Sequence, residues 1–472
     1  MTAAAIWVGQ TLLAALILVT AAFQVTIFAA AIAGFVQHRR TVWGEQNERL
    51  LGSEWTPSIT IIAPAYNEAV TVAASLRAML TLSYPSLEVV VVNDGSTDAT
   101  LETLRNEFGL RAVHLSQPGS LPARPVRALY RSTRHHGLVV IDKENGGKAD
   151  ALNAGLNVAT GDLVCVVDVD TLIEPDALLR IVRPFLTDAA TLAAGGTIRV
   201  VNGSEVRAGR VVSARAPRRV LAGVQTIEYL RSFLVGRLGW TALGGNLIVS
   251  GAFGLFRRDS VLAVGGYRSD TVGEDIELVV RMRRHAIETG GPRAVTFVAD
   301  PIAWTEAPST TRVLGRQRDR WQRGLADTLL RHRRLAFNPR YRTLGLVALP
   351  YFILVELLSP VIEVAGVATL LAAYATDSPE LGRTAVLLAI LYAFGLAVSV
   401  TTLLVYQWSS GDPFPARDLP RLLAFTAMEY LGYHQLTVWW RLRGMARFLR
   451  GDRDWGSMVR AGFGSPVPEG AA

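Results

Sequence analysis

Leu163-Val164-Cys165-Val166-Val167 is an unbroken apolar run, and it leads directly into Asp168-Val169-Asp170. A run of that kind suits a central strand covered on both faces, which calls for helices on both sides of a largely parallel sheet. Where the strand stops, alternation puts the Asp168 and Asp170 side chains on the same side of the backbone. Open α/β sheets bind ligands at the carboxyl ends of their strands. Carboxylates are also hard oxygen ligands for Mg²⁺ or Mn²⁺, and a metal held by few carboxylates completes its shell with substrate phosphates. The pair therefore reads as a metal–diphosphate site. Two solvated acids in a turn are the alternative, because a lone D-x-D is common.

The neighbouring sequence repeats the pattern. Ser58 to Ala63 and Leu87 to Val92 are strands, Leu138 to Ile141 is a third, and helices fall between them. Each strand runs into a polar cluster: Tyr66-Asn67-Glu68, Asp94, and Asn145-Gly146-Gly147-Lys148. In a parallel sheet these ends share one edge. A Gly-rich turn opening a helix, with one lysine, favours phosphate. Between Leu115 and Gly137 a Pro- and Arg-rich insertion, with Arg124, Arg127, Arg131 and Arg134, reads as a solvated flap rather than a binding site. Further on, Thr197 to Val201 reads as a strand and Val224 to Val235 as a helix. In that helix Glu228 and Arg231 are ligands or surface groups. Ile248 to Phe256 is a Gly-containing strand in which Ser250-Gly251-Ala252 permits close backbone approach. Gly273-Glu274-Asp275 opens a helix, where acids also simply complement the dipole.

The ends of the chain read as membrane segments. Half of the 472 residues are hydrophobic, high for a soluble enzyme. No residue from Thr2 to Gln37 is charged, and Thr11 to Val36 is long enough to span a bilayer. Without a basic stretch before it or a cleavage site after it, this is expected to be an uncleaved anchor. Arg39 and Arg40 follow, so the next domain is expected in the cytoplasm and the N-terminus outside. Ser309 to Arg334 is a basic helix suited to a membrane surface. Leu344 to Ala373 reads as one span with an interfacial lead-in, and Ala385 to Trp408 as a clean span, with the Asp377 to Arg383 loop outside. Leu419 to Trp440 mixes apolar residues with Arg421, Glu429, His434 and Gln435, and reads as interfacial or re-entrant. Glu356, Glu363 and Glu429 line a channel or pair with arginines near the interface.

Composition narrows the function classes. The net charge of +8 fits Arg-rich flanks of membrane helices, and no basic block with interleaved aromatics points to nucleic acid. The one cysteine, Cys165, lies in the buried strand, which excludes a disulfide framework and a thiolate metal site. The seven histidines show no zinc spacing.

Taken in order, Pro64-Ala65-Tyr66-Asn67-Glu68, Asn93-Asp94-Gly95-Ser96, Asn145 to Asn153, Asp168-Val169-Asp170, Glu274-Asp275 and Gln317-Arg318-Asp319-Arg320-Trp321 resemble the membrane-embedded family 2 glycosyltransferases. These are the processive, inverting enzymes related to cellulose, hyaluronan and poly-N-acetylglucosamine synthases. The resemblance covers roughly Ser58 to Gly324. The Asn-Gly-Gly-Lys run and the Q-x-x-R-W motif carry most of it. One departure is Gly-Glu-Asp where many synthases have Thr-Glu-Asp.

The resemblance implies an α/β, GT-A-like (Rossmann-like) cytoplasmic domain inserted between transmembrane helices. Its divisions would be an anchor at 1–40, the catalytic domain at 55–308, an amphipathic interface region at 309–343, transmembrane or interfacial helices at 344–448, and a cytoplasmic tail at 449–472. Tyr66, Glu68 and Asp94 would hold the uracil and ribose, and Lys148 and Asp150 would contact the nucleotide. Asp168 would lie against the nucleotide and Asp170 would ligate Mg²⁺ or Mn²⁺, with both carboxylates as metal candidates. Arg320 and Gln317 would stabilise the leaving diphosphate, Asp275 would be the general base, and Trp321 would stack on the acceptor, with Glu274, Ser250 and Gly251 beside it. The partners implied are a UDP-sugar, a polysaccharide or lipid-linked acceptor, the bilayer of the plasma (inner) membrane, and accessory export subunits, with no nucleic acid. The expected activity is elongation of a β-linked polysaccharide. Transfer of one sugar to a lipid carrier is the near alternative, and a silent membrane scaffold the distant one.

Overall fold

The apolar runs form β1 (Ile59–Ala65), β2 (Leu87–Asp94), β5 (Leu138–Lys143) and β6 (Leu163–Val167), with β3 (Leu110–Val113) and β4 (Val126–Ser132) between the second and third of these. After β6 come β7 (Leu172–Ile173), β8 (Thr191–Val200), a small hairpin of β9 (Glu205–Arg207) and β10 (Arg210–Ser213), β11 (Phe253–Arg257) and β12 (Ala294–Thr305). The computed structural model describes residues 3–42, 55–114, 119–207, 209–375, 381–409 and 413–452. The chain divides into two compact units. One holds Gln37–Pro217 and Leu247–Ala307, and the other holds Met1–Val36, Arg218–Asn246 and Pro308–Trp455.

The first unit is built on a ten-stranded sheet in the order β3-β4-β5-β2-β1-β6-β11-β8-β12-β7. β5, β2, β1 and β6 are mutually parallel, as the buried apolar runs predict. β11 is antiparallel to both β6 and β8, so one reversed strand sits inside an otherwise parallel centre. The strand expected over Ile248 to Phe256 is therefore shorter, and Leu247 to Ala252 is the loop that leads into it. The Leu115–Gly137 insertion is not simply a flap: part of it is β4, antiparallel to β3 and β5. Arg127 and Arg131 stand exposed while Leu129 and Tyr130 are half-buried, so a strand this rich in exposed arginine had the composition of a loop. Residues 115–118 of it lie outside the described residues.

Helices cover the sheet. Lys148–Val158 and Glu274–Thr289 bury Leu152, Leu156, Leu278 and Met282 in one core with Ile62, Val92, Val164 and Val166. Each such side chain contributes about 1.5–3 kcal/mol when fully buried. The helix carrying Lys148 lies so close to the sheet that a Cβ at Gly155 would come within 2.4 Å of Ile62 Cγ2. Gly155→Val is expected to destabilise the protein by about 1–3 kcal/mol of overpacking, which outweighs the few tenths gained in helix propensity. Thermal unfolding of the purified full-length chain checks this, and an unchanged midpoint would contradict the packing.

Ala3–Val42 is one helix of 40 residues, of which the part up to Val36 falls in the second unit. Among the described residues, Ile17–Val36 is the single segment long and apolar enough to cross a membrane unaided. Leu344–Leu357 and Ser359–Ala372 meet the same test together but are bent by 47°. Pro360, which lacks an amide N–H, follows the break. Leu381–Ser409 is a helix of 29 residues, with no charged residue after Arg383. Most of the Asp377–Arg383 loop and the tail beyond Asp452 lie outside the described residues. Leu419–Met428 is helical, the chain breaks at Leu431 and Gly432, and His434–Leu449 follows as a separate helix. The helix expected over Val224 to Val235 begins at Val220 and continues as helical turns to Ala242 in this unit. The acids here have partners: Glu429 accepts from Arg231 Nη1 at 2.7 Å, Glu363 pairs with His434 at 2.8 Å, and Glu356 lies 4.0 Å from Arg441.

Candidate active site

The edge defined by the carboxyl ends of β1, β2, β5 and β6 collects the polar clusters. At the end of β1, Asn67 has φ +57°, a left-handed conformation that a short polar side chain tolerates. Its Oδ1 accepts from Thr97 N at 2.8 Å, and the amides of Asn67 and Glu68 donate to Ser96 Oγ at 3.0 Å and Thr100 Oγ1 at 2.8 Å. The first two loops are thereby fastened to each other. Tyr66 stands beside them, 51% exposed.

The glycine turn is built on Asp94. Its carboxylate accepts from Gly146 N at 3.0 Å and Gly147 N at 2.8 Å, and its carbonyl accepts from Asn145 Nδ2 at 2.8 Å. Gly95 and Gly147 are both left-handed, at φ +67° and +84°, and a Cβ at Gly95 would lie 2.6 Å from Asn145 N. Lys143, fully buried at the end of β5, reaches Asp94 Oδ1 and Asp150 Oδ1, each at 2.6 Å. Asp94 and Asp150, both expected to face the nucleotide, are thus joined through one lysine. Asp150 also accepts from Arg124 N at 3.0 Å. Lys143 was missed in the sequence. The available signal was a charged pair, Asp142-Lys143, at the end of an apolar strand.

Lys148 collects the next group. Its Nζ lies 2.5 Å from Asp168 Oδ1 and donates to Gly251 O at 3.0 Å. Burial works against the ammonium charge, but Asp168, Glu274 and Asp275 outweigh it and hold the pKa above the ordinary lysine value. A Cβ at Gly251 would come within 3.4 Å of Asp275 Oδ2 and 3.3 Å of Lys148 Nζ, so the backbone itself fills that gap. Asp168 N donates to Ala252 O at 3.3 Å, which ties the end of β6 to the loop before β11. Ser250 Oγ accepts from Ala252 N at 3.3 Å and shapes that loop. Asp170 is 8% exposed, in the turn closed by Thr171 N to Asp168 O at 2.8 Å.

Glu274 and Asp275 open the Glu274–Thr289 helix, and Asp275 Oδ1 accepts from Ile276 N at 2.8 Å. Asn153 clamps the chain before them, accepting from Tyr267 N at 2.7 Å and donating to Tyr267 O at 2.9 Å. Burial, with Glu274 and Asp275 nearby, pushes the Tyr267 phenol well up, so it stays neutral.

The donor set at Asp168 and Asp170 suits a divalent metal: two hard carboxylates, with no cluster of three or more His, Cys, Asp or Glu ligands among the described residues. A cation there would need other oxygens, such as those of phosphate, to complete its shell. Gln317, Arg320 and Trp321 belong to the other unit, on the Thr311–Arg331 helix, where Trp321 is 44% exposed and Gln317 Oε1 is buried with no hydrogen-bond partner among the described residues.

Residues 57–324 match the family model described as glycosyltransferase like family 2. The poly-beta-1,6-N-acetyl-D-glucosamine synthase of Staphylococcus aureus (strain COL) is 29% identical over 276 residues, 58% of this chain and 56% of the relative. That of Staphylococcus epidermidis is 28% identical over 274 residues, with the same coverage. The match thus spans little more than half the length of these curated relatives. Among solved structures, a mannosyltransferase from Pyrobaculum calidifontis in complex with GDP-mannose and Mn²⁺ shares the fold, with a TM-score of 0.50 at 21% identity over 86% of this chain and 99% of that one.

Proposed function

The chain belongs to glycosyltransferase-like family 2, and from that premise we propose that it is a membrane-bound, metal-dependent transferase that elongates a β-linked polysaccharide from a UDP-sugar. The observation that carries the reading is the Lys148 cluster. One ammonium stands among Asp168, Glu274 and Asp275 and holds Gly251 O, so the acids proposed for the diphosphate and for the acceptor are neighbours.

Tyr66 offers an exposed ring for the uracil, with Glu68 toward the ribose. Asp94 acts by shaping the Gly146-Gly147 turn, whose helix N-terminus and Lys148 face phosphate charge. Lys143 and Asp150 brace that turn. Asp168 and Asp170 would hold Mg²⁺ or Mn²⁺, which neutralises charge on the leaving diphosphate when bound. Asp275 takes the proton of the acceptor hydroxyl as that oxygen attacks the anomeric carbon. The bond from that carbon to the diphosphate oxygen breaks, and UDP leaves with the electron pair. One base opposite the leaving group gives inversion, since retention by double displacement needs a second carboxylate as nucleophile. The roles of Gln317 and Arg320 toward the diphosphate, and of Trp321, Glu274 and Ser250 toward the acceptor, rest on the resemblance of the motifs.

UDP-N-acetylglucosamine is the first donor to try, because the curated relatives are named for its polymer. The apolar Ile17–Val36 segment supports an anchor, and the bent pair and the Leu381–Ser409 helix support further spans in a multi-pass plasma-membrane protein. The basic residues after the first span support a cytoplasmic catalytic face. Outward passage of the product, with or without export subunits, completes the proposal.

The test is product analysis on the purified full-length chain with a panel of sugar nucleotides and Mn²⁺ or Mg²⁺. UDP release with a ladder of long products is expected. Release with one sugar added per acceptor would replace polymer synthesis by lipid glycosylation, and no release from folded protein with any donor would sink the transferase reading. Chelation with EDTA is expected to abolish release and added Mn²⁺ to restore it. Full activity in EDTA would remove the metal from the scheme.

A further inference from the structure

The Thr311–Arg331 helix sorts its polar residues onto two faces. Gln317, Arg320 and Trp321 follow the i, i+3, i+4 spacing of one stripe. Arg318, Asp319, Gln322 and Arg323 form the opposite one, at 5%, 0%, 3% and 2% exposure. Polar groups this deeply buried are costly unless partnered, and these are. Arg318 Nη2 donates to Glu228 Oε2 at 2.7 Å and to Tyr433 Oη at 3.2 Å, and its guanidinium lies 4.4 Å over the Trp321 ring. Gln322 Oε1 accepts from Arg441 Nε at 2.9 Å, and its Nε2 donates to Leu357 O at 3.0 Å. Asp319 accepts from Arg323 Nε and from Arg447 Nη1, both at 2.9 Å, and Arg443 Nε lies 3.4 Å from its second oxygen.

The partners of Asp319 come from two helices. Arg323 is one turn along its own helix, and Arg443 and Arg447 belong to His434–Leu449. The helices cross closely: a Cβ at Gly444 would meet Asp319 O at 2.7 Å, and one at Gly315 would meet Trp440 Nε1 at 2.7 Å. Asp319 is the one acid in the buried stripe, and three guanidiniums share it. A helix turned by one residue, about 100°, would carry Asp319 out of this cage and redirect the opposite stripe.

We propose that Asp319 is a positioning residue: caged by Arg323, Arg443 and Arg447, it fixes the rotation of the Thr311–Arg331 helix and so aims Gln317, Arg320 and Trp321. The proposal rests on the transferase reading for its catalytic consequence. The C-terminal basic helix, on this view, orients the motif helix in addition to any role at a membrane surface.

The test compares Asp319→Asn, Asp319→Glu and Arg447→Gln with the unmodified full-length chain in detergent. Donor KM and kcat come from UDP release, helix dynamics from hydrogen exchange, and stability from thermal unfolding. Asp319→Asn is expected to lower kcat roughly 10- to 100-fold, the scale of a misaimed catalytic group, with donor KM little changed. Asp319→Glu recovers part of the loss. Exchange quickens in Thr311–Arg331 and His434–Leu449 and not in the sheet. A purely structural role would lower the unfolding midpoint and leave kcat per folded molecule intact, and that result overturns the proposal. Should Asp319→Asn fail to fold, Arg447→Gln must show the same kcat loss, and normal turnover there overturns it equally. If the unmodified chain releases no UDP from any donor, the transferase reading fails. Exchange and unfolding then decide: exchange quickened in the motif helix with an unshifted unfolding midpoint supports the fixing of its rotation, and unchanged exchange or a lowered midpoint ends it.

Discussion

Asp275→Asn is expected to lower turnover by roughly 10²- to 10⁴-fold, the usual contribution of a positioned general base. The amide keeps the shape and can still accept from Ile276 N, which donates to Asp275 Oδ1 at the helix start. What it loses is the ability to take a proton. Asp168 and Asp170 are unchanged and Lys148 keeps its ion pair with Asp168 and its bond to Gly251 O, so donor KM should stay near its original value while kcat falls. UDP release at saturating donor, with circular dichroism to confirm the fold, measures both. Full turnover in a folded Asp275→Asn protein would remove Asp275 from the role of base, and Glu274 would be examined next.

The largest effect on stability is expected from Lys143→Met. The ammonium is fully buried and lies 2.6 Å from both Asp94 and Asp150, whose side chains are themselves 4% and 13% exposed. Methionine fills similar space but leaves two acids facing each other without the cation between them. Removing one partner of a buried ion pair costs about 3–5 kcal/mol. The two amides donated to Asp94 by Gly146 and Gly147 offset part of this, which places the expected loss toward the lower figure. Thermal or denaturant unfolding gives the number. A loss of less than 1 kcal/mol would mean that the turn does not depend on the lysine. Lys143→Arg tests charge apart from shape, since a guanidinium keeps the charge and does not fit the same two contacts.

The sequence reported some of this structure and concealed the rest for identifiable reasons. β1, β2, β5 and β6 were legible because strands buried on both faces are written as apolar runs, and each stops at a polar cluster. That juxtaposition also exposed Tyr66, Asp168 and Asp170, since strand ends in a parallel sheet must share an edge. Glu274 and Asp275 could not be placed beside Lys148 by periodicity, because the three residues open two different helices far apart in the chain. β4 was concealed because its exposed Arg127 and Arg131 gave it the composition of a loop. The direction of β11 was concealed because a buried strand carries the same residues either way. Lys143 was concealed because its partners, Asp94 and Asp150, lie on other elements, and long-range pairing leaves no local mark. The same applies to Asp319, whose two cross-helix arginines lie more than a hundred positions away.

The reversed strand also has a consequence for how such a fold can diversify. In a sheet whose strands all run one way, only outgoing connections reach the binding edge, and each is committed to the helix that follows. Because β11 runs backwards between β6 and β8, an incoming connection, Ser250-Gly251-Ala252, arrives at the same edge beside Lys148 and Asp275. Residues can be exchanged there while the strands that carry Asp94 and Asp168 keep their register. A fold with this wiring can change the molecule it adds to without rebuilding the apparatus that supplies the sugar.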